Sequence, residues 1–481
     1  MAPLGMSLFA PSDPRPVHFM GAAGAGMSAL AELLVRRGVT VTGCDAMSGT
    51  VPDLERLGIS VSAGHDPAHV VGARAVVVTS AVPVGHPELE RARALGVPVI
   101  RRAEALAEAV SGEGSQLVAV AGTHGKTTTT VMTTLAFDAA GCDPTGIAGG
   151  RVGAWEGNLK FGADRLFVVE ADEYDRSFLA LTPTVAVITN VEADHLDIYR
   201  DLADIHATFA RFARAAHWIV LCADDAGANA LPTPTSAEVI RYGIDSSDAR
   251  LVGRDVRDEA DGGTSFTPVY DGKVFAPVRL RVPGRHNVLN ALAALASGLA
   301  LGVPADSLAP GLAAFGGVER RFQRIGEARG VLVVDDYAHH PTEIRATLAA
   351  ARASLPGRRL VVAFQPHLFT RTRDFADEFG AALSGADEIF LTEIYPARER
   401  PIEGVTASLI ERAIVNAAGA GREGRGSGSA ARGRIAWRGE RAELAAALAG
   451  AVRSGDVVIT LGAGDITRTG PELLQYLTAA A

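Results

Sequence analysis

Short, nearly unbroken apolar runs recur along this chain, and most are released into a glycine-rich or polar turn. The first half carries them at 17–20, 75–78, 97–100, 117–120, 166–169 and 185–189; the last third carries them at 331–334, 359–364, 388–391 and 456–461. A short apolar run without polar alternation is the pattern of a strand buried on both faces, which is the condition of a parallel sheet. Helix-like stretches stand between the runs. GAAGAGMSALAELLVRRG turns into an amphipathic helix that stops at Gly38 before a strand at 39–43, and an alanine-rich helix runs from Pro283-Gly284 to Gly302. Residues 241–283, punctuated by Asp261-Gly262-Gly263 and Asp271-Gly272, read instead as short antiparallel strands. The expectation is an α/β fold of doubly wound, Rossmann-like sheets whose working edge lies at the strand C-termini.

Length makes this more than one such unit. At 481 residues, 48% of them hydrophobic, three domains can each bury a core. The Ser-Gly-Glu linker at 111–115 and the glycine hinge after Phe315 divide the chain into 1–112, 113–315 and 316–481. A net charge of −9 without long basic runs argues against nucleic acid or an anionic membrane as the main partner. Cys44, Cys142 and Cys222 are far apart and form no C-x-x-C, so they are expected to pack, in a reducing compartment, rather than form disulfides or hold zinc. The first 16 residues, with four prolines, do not form a signal peptide, and no segment reads as a membrane span, so a cytoplasmic protein is expected. GAGREGRGSGSAARGR, at 419–434, reads as a mobile loop.

The chemistry concentrates at the ends of the apolar runs. In VAVAGTHGKTTTT, a strand meets Gly122 and Gly125, and Lys126 with four threonines opens a helix. Glycines let successive N–H groups of Gly122, Thr123, His124, Gly125 and Thr128 curl toward one anion, Lys126 reaches the outer phosphates, and Thr127 can hold Mg²⁺. The loop is shorter than the usual pattern, because Val120 stands where a further glycine is expected; the plain alternative is a strand-to-helix turn that happens to carry a lysine. The strand at 166–169 delivers Glu170, Asp172, Glu173 and Asp175. A carboxylate beside a phosphate loop suits Mg²⁺, and Glu170 is the choice, with Glu173 assigned to a solvated acidic loop. Asn190, Asp194 and His195 follow the next strand, with His195 either facing a metal or packing.

Elsewhere the residues leave alternatives open. Gly21, Gly24 and Gly26 precede a helix, and Asp45 follows the second strand, an arrangement that binds a pyrophosphate and a ribose; nicotinamide binding or a simple tight turn fits too, since G-x-G-x-x-G is not kept. Ser80 lies in TSAV at a strand's C-terminal end. Asn287 and Asn290 share a helix face suited to an adenine edge or to capping. His339, His367, Arg371 and Arg373 make the C-terminal edge positive, either as an anion clamp or as a surface ion-pair network.

Taken together, GAAGAGM, AGTHGKTTTT, EADEYDRSFL, TNVEADHLD, VPGRHNVLNA, GVERRFQ, DDYAHHPTE, FQPHLFTRT and EIYPARE resemble the Mur ligase family over about residues 17–470. The resemblance implies a UDP-sugar domain, a central ATPase and a C-terminal domain that closes over the site. It implies ATP and Mg²⁺, with UDP-N-acetylmuramate and L-alanine as substrates of an ATP-dependent ligation through an acyl phosphate, in a monomer or weak homodimer. By similarity Lys126 and Thr127 handle phosphates and metal, and Glu170 and His195 face Mg²⁺. His286, Asn287 and Asn290 lie near adenine, and Arg321, Asp335 and Asp336 are nucleotide contacts. Tyr337, His339, His367 and Arg371 form the wall around the amino acid and the reacting carboxylate, and His195, His339 or His367 takes the amine proton. Ala22 and Ala23 depart from the family's glycine-richer first loop, and no lysine lies between His195 and His217 to serve as the carbamoylated metal ligand of later-acting relatives. The rival readings are a ligase that reattaches a preformed tripeptide to the same sugar, an NAD-dependent oxidoreductase, and a protein that uses ATP only as a switch.

Overall fold

The computed structural model describes residues 12–46, 51–420 and 433–479. Residues 1–11 of the proline-rich start and 421–432 of the glycine-rich run lie outside them. Each apolar run is a strand, and the strands form three sheets. The first is wholly parallel, in the order Ser60–Ala63, Val41–Asp45, Val17–Met20, Ala75–Val78, Val99–Arg101. The strand order reverses on either side of Val17–Met20, so a crevice opens there between the turn at Gly21 and the turn at Thr79.

The central sheet has 11 strands. Its parallel part places Gln116–Ala121 between Leu166–Glu170 and Val185–Ile188, and the residues predicted to form short antiparallel strands extend it through Leu251–Asp258, Thr264–Tyr270, Lys273–Val274 and Val278–Leu280. One face is covered by Lys126–Ala139 and Arg285–Ala300, against Val118, Val120, Val168 and Val187, and the other by Leu202–Ala213, against Phe167, Val169 and Ile188, all of them buried. That double burial explains the unalternating apolar pattern.

The C-terminal sheet has six strands, five of them parallel. Here the segment after the glycine hinge is not all loop. Gln323–Ala328 is an edge strand, antiparallel to Val331–Asp336, with Arg329 and Gly330 turning between them at φ +53° and +74°. The charged pattern hid it because an edge strand buries little of itself. Among the described residues, no helix is long and apolar enough to cross a membrane.

Candidate functional site

The centre of the site follows directly from the central sheet. Gln116–Ala121 ends in the glycine loop, while the neighbouring strands end in Glu170 on one side and Thr189-Asn190 on the other. Gly122 has φ +140° and Gly125 φ +79°, and a Cβ on Gly122 would run into Thr189 and Asn190. The loop is fixed by Thr123 N–H donating to the Asn190 carbonyl (3.1 Å), His124 N–H to Asn190 Oδ1 (2.7 Å) and Thr189 Oγ1–H to the His124 carbonyl (2.6 Å). The helix Lys126–Ala139 then starts at Gly125 with no side-chain cap, so its first N–H groups and dipole are open to an anion.

Lys126 Nζ lies 2.6 Å from the Gly122 carbonyl and 2.8 Å from Glu173 Oε2. Glu173 is therefore not part of a solvated acidic loop, as expected from sequence, but buried, because an unpaired lysine at this depth would be costly. Burial opposes the charge on Lys126, but the Glu173 carboxylate outweighs it and holds the ammonium more firmly protonated than usual. Thr127 Oγ1 donates to Glu170 Oε1 at 3.1 Å, and Glu170 Oε2 accepts from Gly149 N–H at 2.5 Å. Burial raises the Glu170 carboxyl above its ordinary range, with Lys126 opposing. His195, at φ +52°, brings Nε2 to 3.5 Å from Glu173 Oε1, and its buried Nδ1 has no hydrogen-bond partner. A hydroxyl, two carboxylates and an imidazole with an orphaned nitrogen make an oxygen-rich donor set that fits a hard divalent cation.

Beside the loop, a cavity of about 280 Å³ lies between the central and C-terminal domains. It is lined by His286, Asn287 and Asn290 from the alanine-rich helix, and by Arg321 and Asp336 from across the hinge. Asn290 also anchors the loop's helix, accepting from Thr129 Oγ1 at 3.0 Å, and Asn287 Nδ2 donates to the Pro283 carbonyl. Neither asparagine caps its helix, which opens at Gly284 without a side-chain cap; both line the cavity. Burial drives His286 down to about 4 and lifts Asp336 to about 6.

The cavity adjoins a cleft of about 1080 Å³ in which all three domains meet. Gly24, Gly26 and Ser80 come from the first domain, Lys126, Thr127, Glu170 and His195 from the second, and Arg321, Tyr337 and His339 from the third. The helix Ala25–Arg36 opens at Gly24 without a side-chain cap, and a Cβ on Gly26 would meet the guanidinium of Arg102 at 2.9 Å. His339 is half-buried, and desolvation lowers its ring below the ordinary histidine range despite Glu343.

Three family models match the chain: "Mur ligase family, catalytic domain" at 16–113, "Mur ligase middle domain" at 120–298, and "Mur ligase, glutamate ligase domain" at 320–464. The chain belongs to the Mur ligase family. Curated relatives of this Mur ligase named UDP-N-acetylmuramate–L-alanine ligase include that of Acidothermus cellulolyticus, 46% identical over 96% of this chain and 94% of the relative, and that of Solidesulfovibrio magneticus, 44% identical over 96% and 98%. Among solved structures, the UDP-N-acetylmuramate–alanine ligase MurC of Thermotoga maritima superposes with a TM-score of 0.80 at 28% identity, covering 97% of this chain and 100% of its own. A murein peptide ligase of Psychrobacter arcticus gives 0.69 at 26% identity, covering 96% and 98%.

Several residues of this Mur ligase stand elsewhere than expected. Gly21 makes the turn at φ +81°, and Asp45 accepts the Ala23 N–H at 2.8 Å, so it braces the first loop instead of lining the cleft. Asp335 is buried among Arg320, Thr460 and Thr467 within its own domain. Arg371, 5% exposed, donates to Asp194 Oδ1 at 2.6 and 3.2 Å and sits 3.3 Å from His367 Nδ1. Its charge locks the C-terminal domain to the central one and leaves no guanidinium edge facing the cleft, which is the ion-pair alternative, buried instead of on the surface. His367 stands behind His339, ring centroids 5.7 Å apart. Sequence reasoning missed Arg102, and also missed Glu343 and Glu192, whose carboxylates lie 3.4 and 3.5 Å from His124 and lift it to about 9 against its burial. No local pattern marks them, because each meets its partner only in the folded chain, Glu343 from across a domain boundary.

Proposed function

We propose that this chain joins L-alanine to the lactyl carboxylate of UDP-N-acetylmuramate at the expense of ATP, giving UDP-N-acetylmuramoyl-L-alanine, ADP and phosphate, a step of peptidoglycan precursor synthesis. The single cleft shared by an uncapped glycine-loop helix, a lysine-bearing phosphate loop and the Tyr337–His339 wall carries the reading. The named relatives support L-alanine over the tripeptide. The phosphate loop with Glu170 gives an oxidoreductase no use for them.

In this reading the first loop and Arg102 bind the sugar's pyrophosphate, and the cavity beside Asn287 and Asn290 takes the adenosine. The lactyl carboxylate attacks the γ-phosphate, forming an acyl phosphate and ADP; the alanine amine attacks the acyl carbon, and phosphate leaves. Two anions must approach each other, so Lys126 and the helix N-terminus offset their repulsion and stabilise the transferred group. Mg²⁺, held by Thr127, Glu170 and His195, would supply further neutralisation of the triphosphate. Closure around the hinge keeps water from the acyl phosphate. Of the three candidate histidines, His339 suits the amine's proton best. It lines the cleft and desolvation favours its neutral form, whereas His195 is assigned to the metal and His367 does not line the cleft.

The boundaries 1–112, 113–315 and 316–481, the cytoplasmic location suggested by free thiols, and a monomer or weak homodimer belong to the same proposal. ADP release with UDP-N-acetylmuramate plus L-alanine, glycine or L-Ala-γ-D-Glu-diaminopimelate tests it, with NADH absorbance followed in parallel. Alanine-dependent ADP and phosphate are expected; equal release without alanine, or preference for the tripeptide, overturns the reading.

A further inference from the structure

Outside the cleft and its adjoining cavity, the other face of the first domain's sheet gathers a different set of side chains. The strands Val17–Met20 and Val41–Asp45 contribute His18 and Cys44, the short 3₁₀ turn Pro67–Val70 contributes His69, and the helix Pro87–Ala94 contributes Glu88. One ligand atom from each lies within 4.8 Å of the others. None of the four lines the cleft or the adjoining cavity.

The group is hydrogen-bonded through Glu88, whose Oε1 also accepts the Asp66 N–H at 2.9 Å, but one buried nitrogen in it is left over. Glu88 is completely buried, with Oε1 2.9 Å from His69 Nδ1 and 3.4 Å from Cys44 Sγ. His18 is 2% exposed; its Nδ1 lies 3.0 Å from Thr42 Oγ1, while Nε2 has no hydrogen-bond partner. A buried ring nitrogen left unpaired costs free energy, and in the tautomer whose Nδ1–H donates to the Thr42 hydroxyl the unpaired atom is the Nε2 lone pair, available to a metal. That is how metal-ligating histidines are oriented. His65 and His86 approach the other carboxylate oxygen, at 3.1 and 3.9 Å, and brace Glu88 from outside.

We propose that His18, Cys44, His69 and Glu88 form a binding site for one zinc ion. Two imidazoles, a thiol and a carboxylate are a four-ligand set of the type zinc takes in tetrahedral geometry, and a thiolate with two imidazoles disfavours Mg²⁺. Coordination displaces the Cys44 thiol proton to solvent, and the ion ties two strands, the 3₁₀ turn and the helix together beneath the first glycine loop. The role is structural, since the site is closed and remote from the transferred phosphate.

The test uses the full-length protein, stripped with chelator and titrated with Co²⁺ and then Zn²⁺. One cobalt per chain is expected, with visible bands of tetrahedral coordination and a near-ultraviolet thiolate-to-cobalt band, displaced by one equivalent of zinc. The thiolate band should vanish in Cys44→Ala and persist in the Cys142→Ala/Cys222→Ala double variant, with zinc affinity in Cys44→Ala reduced about 100-fold or more. Zinc should raise the melting temperature of the wild type but not of Cys44→Ala, a readout that compares each protein with its own metal-free form. Absence of a thiolate band in the wild type, its survival in Cys44→Ala, or unchanged zinc affinity in both Cys44→Ala and Glu88→Gln overturns the proposal.

Discussion

The chain uses the same device twice, and the two copies differ in what surrounds them. In both the first and the central domain, a buried parallel strand ends in glycines and an uncapped helix N-terminus faces the shared cleft. The first loop adds no charge of its own; Asp45 braces it through Ala23, and the nearby cation, Arg102, comes from another helix. The second carries Lys126 in the helix's first position, with Glu170 and Glu173 on the adjoining strand end and His124 reaching two carboxylates. Backbone N–H groups suffice to hold an anion in place, but moving a phosphoryl group needs charge that is fixed before the reaction. Under the proposed function the first loop is therefore a binding device and the second a reactive one, and the buried Asp194–Arg371 pair docks the C-terminal domain against the second.

Four experiments break or sharpen that comparison. The largest effect is expected from Arg371→Ala, which leaves Asp194 buried without its partner; chemical denaturation should show a loss of about 3–5 kcal/mol, and a loss under 1 kcal/mol would mean the docking pair is dispensable. Next, Lys126→Ala should lower kcat by about 10²–10³-fold in ADP release, and near-normal turnover would remove the distinction between the loops. Gly24→Ala is milder. A Cβ there makes ordinary contacts within the protein, 3.5 Å at the closest, but stands where the sugar's anion would approach. KM for the UDP sugar should rise about tenfold with kcat kept; a drop in kcat alone would give the first loop a share in the chemistry.

The smallest effect is on pH dependence. His124 is lifted to about 9 in the folded protein, so its stabilising contribution is complete below the unfolded value near 6.5 and is lost as pH rises through about 9. The neighbouring His340, lowered to about 4, changes stability only below that window. Melting temperature should therefore fall between pH 6.5 and 9, and His124→Asn should flatten the slope. A wild-type slope unchanged in the variant would assign the titration elsewhere.

The strands and both glycine loops were legible because parallel strands buried on both faces leave continuous apolar runs, and a backbone that cradles an anion needs glycine at fixed places. The edge strand Gln323–Ala328 was not, since it is charged and half-exposed. Glu173 read as one of four similar carboxylates; only its position over Lys126 separates it from Asp172 and Asp175. Arg371 was visible as a cation, but its partner lies 177 residues away. His18, Cys44, His69 and Glu88 come from four elements with no ligand spacing, so the rule that reads zinc from clustered cysteines passes over Cys44.

By itself the sequence determined the three sheets, the phosphate loop and the family, because periodicity, glycine placement and Lys-Thr order are local and survive as patterns along the chain. The tertiary structure alone decided which charges are paired: Lys126 with Glu173, Asp194 with Arg371, His124 with Glu192 and Glu343. The strength of a charge interaction depends on distance and burial, and both are set only when distant segments fold together, within the central domain for Lys126–Glu173 and across its boundary for Asp194–Arg371.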